Sequence, residues 1–179
     1  MEKILNFFIE EPHREFYVRE LAKKLRKSPT TISKYLKEYE KKGILKSEDK
    51  LNHLLFKANT ENRNFKQSKL NYNIQLINNS GLLEFLEEEF NYPQAIILFG
   101  SFAKAENTPK SDIDILVISS KKKEPYLVNL EKFREKMDHE IQLFAHTPSE
   151  IKKLKQTNKE LVNNWINGIV LYGYFEVLK

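Results

Sequence analysis

Apolar residues recur along this chain with a helical period in the first third and a strand-like period in the second half. Ile4, Leu5, Phe8 and Ile9 make one stripe over Glu2–Glu10, which Pro12 closes. Val18, Leu21, Ala22 and Leu25 make a second over residues 16–25. The third segment, "KSPTTISKYLKEYEKKG", has both ends marked: Ser28 suits an N-cap, Pro29 the first helical position and Gly43 a left-handed exit. Its apolar side is Ile32, Leu36 and Tyr39, with Tyr35 beside it; Thr30, Thr31, Ser33, Lys34 and Lys37 face the other way. Ile44 and Leu45 then begin a short strand, "KSEDKLN" reads as a turn, and "HLLFKA" returns as a second strand.

Residues 57–79 are rich in asparagine, yet Leu70, Ile74 and Ile77 fall at i, i+4 and i+7, which predicts a connecting helix with one sticky face. Ser80 can cap a further helix, Leu82–Phe90. From Tyr92 onward strands and helices alternate. "QAIILF", "DIDILVIS" and "EIQLFAH" read as strands, and "IVLYGYFEVL" as a last extended segment. "SFAKA", "YLVNLEKFREKM", "SEIKKLK" and "ELVNNWING" read as helices between them, which gives an α/β sheet with helices packed against it. Trp165, Tyr172 and Phe175 read as packing residues.

Charge divides the chain more sharply than hydropathy does. Residues 1–60 carry 14 Lys and Arg against 9 Asp and Glu, and the other 119 residues are balanced, so the whole net charge of +5 lies in the first third. An acidic polymer is the natural partner of that part. There is no cysteine, which excludes disulfides and cysteine-based zinc sites, and the four histidines lack ligand spacing. Lys121–Lys123 read as a solvated loop. The longest apolar run, Ala95–Phe99, is too short to span a bilayer, and the first residues lack a signal-peptide pattern, so no membrane partner and a cytoplasmic protein are expected. The expected organisation is a first domain over 1–58, a linker helix over 59–79 and a second domain over 80–179.

Three helices followed by a hairpin is the order of a winged helix-turn-helix, and "TISKYLKEYEKKGIL" resembles the recognition helix and first wing strand of that family. The resemblance implies binding to double-stranded DNA, with the helix in the major groove and the wing against the backbone. The residues expected to touch DNA are Ser28, Thr30, Thr31, Ser33, Lys34 and Lys37 on the helix and Lys50 on the wing.

The stretch "LFGSFAKAENTPKSDIDILVI" carries different chemistry. Gly100 and Ser101 stand where a strand hands over to a helix, so free backbone N–H groups there suit a phosphate. Asp112 and Asp114, one residue apart on a strand, share a face while Ile113 and Ile115 share the other. Two adjacent carboxylates call for a cation; hard oxygen ligands beside phosphates favour Mg²⁺ or Mn²⁺, and two such ions roughly 3.5 to 4 Å apart would activate the attacking oxygen and steady the leaving pyrophosphate. A metal-dependent transfer of a nucleotidyl group fits both halves of the pattern.

Gly100-Ser101, ten residues, then Asp112-Ile113-Asp114 resembles the signature of the polymerase-β-like nucleotidyltransferases, especially their small "minimal" forms. The resemblance implies that Gly100 and Ser101, with Lys104 and Ser111, hold the triphosphate of an NTP such as ATP. It also implies that Asp112 and Asp114 bind metal. A glycine and an arginine usual in the family are replaced by "AEN" and Lys104. A third carboxylate on the next strand is implied as metal ligand and base. Glu140 is the candidate, and Gln142 lies on the same face two residues on; if Gln142 is the equivalent, the base is missing and nucleotide can still bind.

The fold class expected is thus α+β with two domains. A winged helix-turn-helix of three helices plus a β-wing precedes a small polymerase-β-like nucleotidyltransferase α/β domain with a mixed sheet. The resemblance leaves the hydroxyl acceptor open among a protein tyrosine, an RNA end and a small molecule such as an aminoglycoside. It also implies a helical toxin-type protein partner, and the linker helix suggests a homodimer. The rival expectation is a transcriptional regulator whose second domain is an inactive nucleotide sensor or dimerisation module.

Overall fold

The computed structural model describes residues 2–50, 53–121 and 124–176, and divides into two compact units, Met1–Tyr72 and Asn73–Lys179. In the first unit α1 (Glu2–Glu10), α2 (Val18–Leu25) and α3 (Pro29–Lys41) pack on a small antiparallel sheet. Its strands are β1 (Phe16–Tyr17), β2 (Leu45–Lys50) and β3 (His53–Ala58), in the order β1-β3-β2. Phe8, Phe16, Leu21, Ile32, Leu36 and Phe56 are its fully enclosed centre. Burying side chains of this size contributes roughly 1.5–3 kcal/mol each before the entropy of ordering them.

Two local expectations change here. Residues 16–17 are extended rather than the start of α2, because Phe16 pairs with Phe56 across the sheet and drives its ring into the core. "KSEDK" is strand rather than turn: Lys46 to Lys50 continue the ladder opposite Lys57 to His53. Leu51 and Asn52, the rest of that expected turn, lie outside the described residues.

Helix α4 (Arg63–Ser80) contributes its first part to one unit and its last to the other. Its buried face is Phe65, Lys69, Asn73, Ile77 and Ser80; Leu70 and Ile74 are only half-buried, so the face is rotated from the one expected. Helix α5 (Leu82–Glu89) starts from the left-handed Gly81. The Ser80 hydroxyl joins the two helices, donating to the Ile77 carbonyl at 2.6 Å and accepting from the Leu82 N–H at 3.0 Å.

The second unit is built on a four-stranded mixed sheet of β4 (Ala95–Phe99), β5 (Ile113–Ile118), β6 (Ile141–His146) and β7 (Ile169–Gly173). The order is β6-β5-β4-β7; β5 and β6 are parallel and the other pairs antiparallel. Both faces are covered, as the unbroken apolar run of β4 and the run Ile115–Ile118 of β5 require. Ile96, Leu98, Ile113, Ile115 and Val117 pack with Leu82, Leu86 and Phe90 and with α7 (Glu131–Met137). Ala95, Ile97, Leu116 and Ile118 pack with α8 (Pro148–Thr157) and α9 (Lys159–Ile166), where Trp165 is fully buried.

Helix α8 opens with a capping box between Thr147 and Glu150. The expected helix over "YLVNLEKFREKM" is broken: Pro125–Leu127 forms one 3-10 turn, and α7 begins only after the Asn129 side chain accepts from the Glu131 N–H at 3.1 Å. Lys122 and Lys123, and Val177 to Lys179, lie outside the described residues.

Candidate functional site

Strand β4 delivers Phe99 opposite Asp114 on β5, so the turn that follows β4 lands on the aspartate. That turn is a single helical turn, α6 (Gly100–Ala103), much shorter than the helix expected, and its dipole is correspondingly small. Gly100 has a φ of 69°, and any Cβ there would overlap Oδ2 of Asp114. Glycine is thus demanded twice, by conformation and by the close approach of the carboxylate. Ser101 is half-buried, and its hydroxyl makes no hydrogen bond among the described residues. Lys104 is exposed at the end of the turn.

Asp112 and Asp114 are both half-exposed, while Ile113 and Ile115 are fully buried in the opposite core. Burial, and then the Asp112 charge, push the Asp114 carboxyl above the usual carboxylate range. A cation beside the pair would relieve both effects. The third place is filled differently from the expectation. On β6 the residue in register with Asp114 is Gln142, and its Nε2 donates to Oδ2 of Asp112 at 2.5 Å.

Glu140 precedes the strand and forms an ion pair with Arg134, whose Nε lies 3.2 Å from its carboxylate. Among the described residues no three acidic or histidine side chains converge as a metal cluster. Glu140, the expected third ligand and base, lies against Arg134 in this structure. The parallel register, fixed by Ile113 against Ile141, brings Gln142 and not Glu140 to the aspartates.

Ser111 is occupied in its own loop, its hydroxyl accepting from the Thr108 N–H at 2.9 Å. Asn73 and Asn107, unmarked in the sequence, and His139 hold this loop. Asn73 is buried and donates to the Phe102 carbonyl at 2.9 Å and to the side chain of buried Asn107 at 2.8 Å. The His139 ring stands edge-on to Phe102, and its Nδ1 meets the Ser111 carbonyl at 2.9 Å. The signal for Asn73 was an amide four residues before Ile77 on a helix, a position its neighbours mark as internal. Beside Asp112 lies an open groove of about 770 Å³ whose walls include Lys110, Tyr126, Asn129, Arg134, His139 and Glu140.

In the first unit, α3 is held from behind and open in front. The Ser28 hydroxyl accepts from the Thr31 N–H at 3.2 Å and bonds the Thr31 hydroxyl at 2.8 Å, so both hydroxyls serve the cap. Thr30, Lys34 and Lys37 are exposed, and Ser33 is half-exposed. Arg26, left-handed at the end of α2, and Lys27 extend this face and make no ion pair among the described residues. Lys50 differs: its ammonium is 2.8 Å from Glu15 and 3.4 Å from Glu48, and these contacts raise its pKa.

Comparison with known proteins decides between the folds that such parts allow. A nucleotidyltransferase domain family matches residues 80–172, more than half of the chain. The chain belongs to this nucleotidyltransferase family. A second family, described as winged helix-turn-helix DNA-binding, matches residues 18–46, which span α2, α3 and the start of the wing. No curated protein matches the chain. The nucleotidyltransferase is thus joined to a winged helix-turn-helix domain. Among the described residues no helix is long and apolar enough to cross a membrane.

Proposed function

We propose that the chain is a DNA-binding nucleotidyltransferase that takes a nucleoside monophosphate from an NTP, with ATP the first donor to try. The observation that supports this reading is the close approach of Gly100 to the Asp114 carboxylate, which brings the turn after β4 against the two aspartates. Asp112 and Asp114 would hold a divalent ion, which supplies charge neutralisation for the triphosphate when bound. Backbone N–H groups of the turn at Gly100 and Ser101, with the Ser101 hydroxyl, bind phosphate oxygens. Lys104 adds a positive charge one turn away.

In the transfer, an acceptor hydroxyl oxygen bonds to the α-phosphorus, the bond to the bridging oxygen of pyrophosphate breaks, and the hydroxyl proton passes to solvent water. Pyrophosphate departs. The groove beside Asp112 is the side from which an acceptor approaches. The test is transfer of α-labelled ATP to RNA, protein and small-hydroxyl acceptors, with pyrophosphate release measured together. Label transfer that disappears in Asp112→Asn supports the reading; release that persists in that variant contradicts it.

A second reading is favoured by Gln142: the fold binds nucleotide but transfers nothing, and the chain is a transcriptional regulator whose grip on DNA answers to nucleotide. Its mark is DNA affinity that changes with Mg-ATP in the absence of pyrophosphate release. In both readings Lys34, Lys37, Arg26 and Lys27 meet phosphates or base edges, and affinity falls with salt.

A further inference from the structure

The feature that the proposed reaction leaves unexplained is the amide at the third position of the cluster. We infer that Gln142 restricts this site to a single divalent ion, held by Asp112 and Asp114, and positions Asp112 for it. The inference rests on the metal-nucleotide reading above and goes beyond it by fixing the stoichiometry. Three observations carry it. Gln142 is in register with Asp114 on the neighbouring parallel strand, so its side chain occupies the place where a third ligand would stand. Its Nε2 donates to Oδ2 of Asp112, so one of the lone pairs that a second ion would need is already engaged. The nearest alternative acid, Glu140, is 68% exposed and turned to Arg134.

Charge decides the rest. Two divalent ions bring four positive charges, and sites that hold such a pair supply enough anionic oxygen from protein and phosphate to offset them. Here the protein supplies two carboxylates and one neutral amide. An ion between the aspartates has those two carboxylates as its protein ligands, while the Gln142 amide stays hydrogen-bonded to Asp112 and adds no charge. One ion is well served, and a second has Asp112 alone.

The experiment is Mn²⁺ binding to the full-length protein, read by electron paramagnetic resonance and by calorimetry, with and without a non-hydrolysable ATP analogue. It is run on the wild type, Gln142→Asp, Gln142→Glu and Gln142→Ala, each checked for an unchanged melting transition. The expected result is one Mn²⁺ per chain for the wild type and Gln142→Ala in the presence of the analogue. A second, weaker Mn²⁺ is expected in Gln142→Asp or Gln142→Glu. Two ions on the wild type overturn the inference and leave the nucleotide-binding reading standing. A single ion in both acidic variants also overturns it, since Gln142 is then not the limit. No Mn²⁺ on the wild type under either condition overturns the reading beneath it as well.

Discussion

Helix α3 and the β4–β5 turn solve the problem of presenting functional groups in opposite ways. On α3 the structural and functional residues are separated by face: Ile32 and Leu36 are fully buried, while Lys34 and Lys37 stand in solvent. At the turn they are the same residues: Gly100 is shaped by Asp114, and Asp114 is half-buried and disfavoured as an anion by that burial. A face can be changed without touching the fold, whereas an embedded site cannot. Stability and binding should therefore separate in one unit and move together in the other.

Gly100→Ala presses hardest on that contrast. A left-handed residue with a side chain costs roughly 1–2 kcal/mol, and the added Cβ must also displace the Asp114 carboxylate. We expect a lowered melting point together with loss of Mg-ATP binding; a variant that melts lower but binds normally breaks the link between turn and aspartate.

Lys69 is the exception within the first unit, a lysine only 1% exposed whose pKa burial pulls down to about 8. Its folded pKa is depressed, so the penalty for its charge applies below about pH 8 and is relieved as pH rises from there toward 10.5. Lys69→Met should therefore lose this pH dependence, so that the wild type gains stability relative to the variant as the pH climbs from about 8 toward 10.5. Parallel pH–stability curves for the two proteins would contradict it.

Asn73→Ala removes a buried amide that supports the loop after the turn. The groups left without a partner cost about 1–3 kcal/mol. Thermal melts should record that loss, with a weakened nucleotide affinity alongside it.

The smallest effect on stability and the cleanest on binding should come from Lys34→Ala with Lys37→Ala. Each phosphate contact removed lowers the slope of log affinity against log salt by about 0.9, while surface changes of this kind stay within about 0.5 kcal/mol in stability. Lys50→Ala should change DNA affinity less than either, because Glu15 and Glu48 already share its charge. An equal loss at Lys50 would mean that DNA breaks those ion pairs.

What the sequence made legible was whatever is decided within a few residues. The Ser28 cap, Pro29 and Gly43 frame α3 through local chemistry, and "FGS" and "DID" declare themselves by spacing. What it hid depends on distant partners. The buried face of α4 runs through Lys69 and Asn73, because Asn107 and the Phe102 carbonyl supply hydrogen bonds that a periodicity count cannot foresee. Glu140 and Gln142 share a face in any strand, so alternation could not choose between them; the register of β5 against β6 did. The wing was read too short because charged residues in "KSEDK" resemble a turn, although an edge strand tolerates them.

The most direct measurement is a calorimetric titration of the wild type and of Asp112→Ala/Asp114→Ala with Mg-ATP, with both proteins checked for an intact fold. Saturable binding by the wild type, lost by more than about 100-fold in the double variant, is the expected result. Absence of binding to the wild type, or equal binding by both, would contradict a nucleotide site built on the meeting of Gly100 and Asp114.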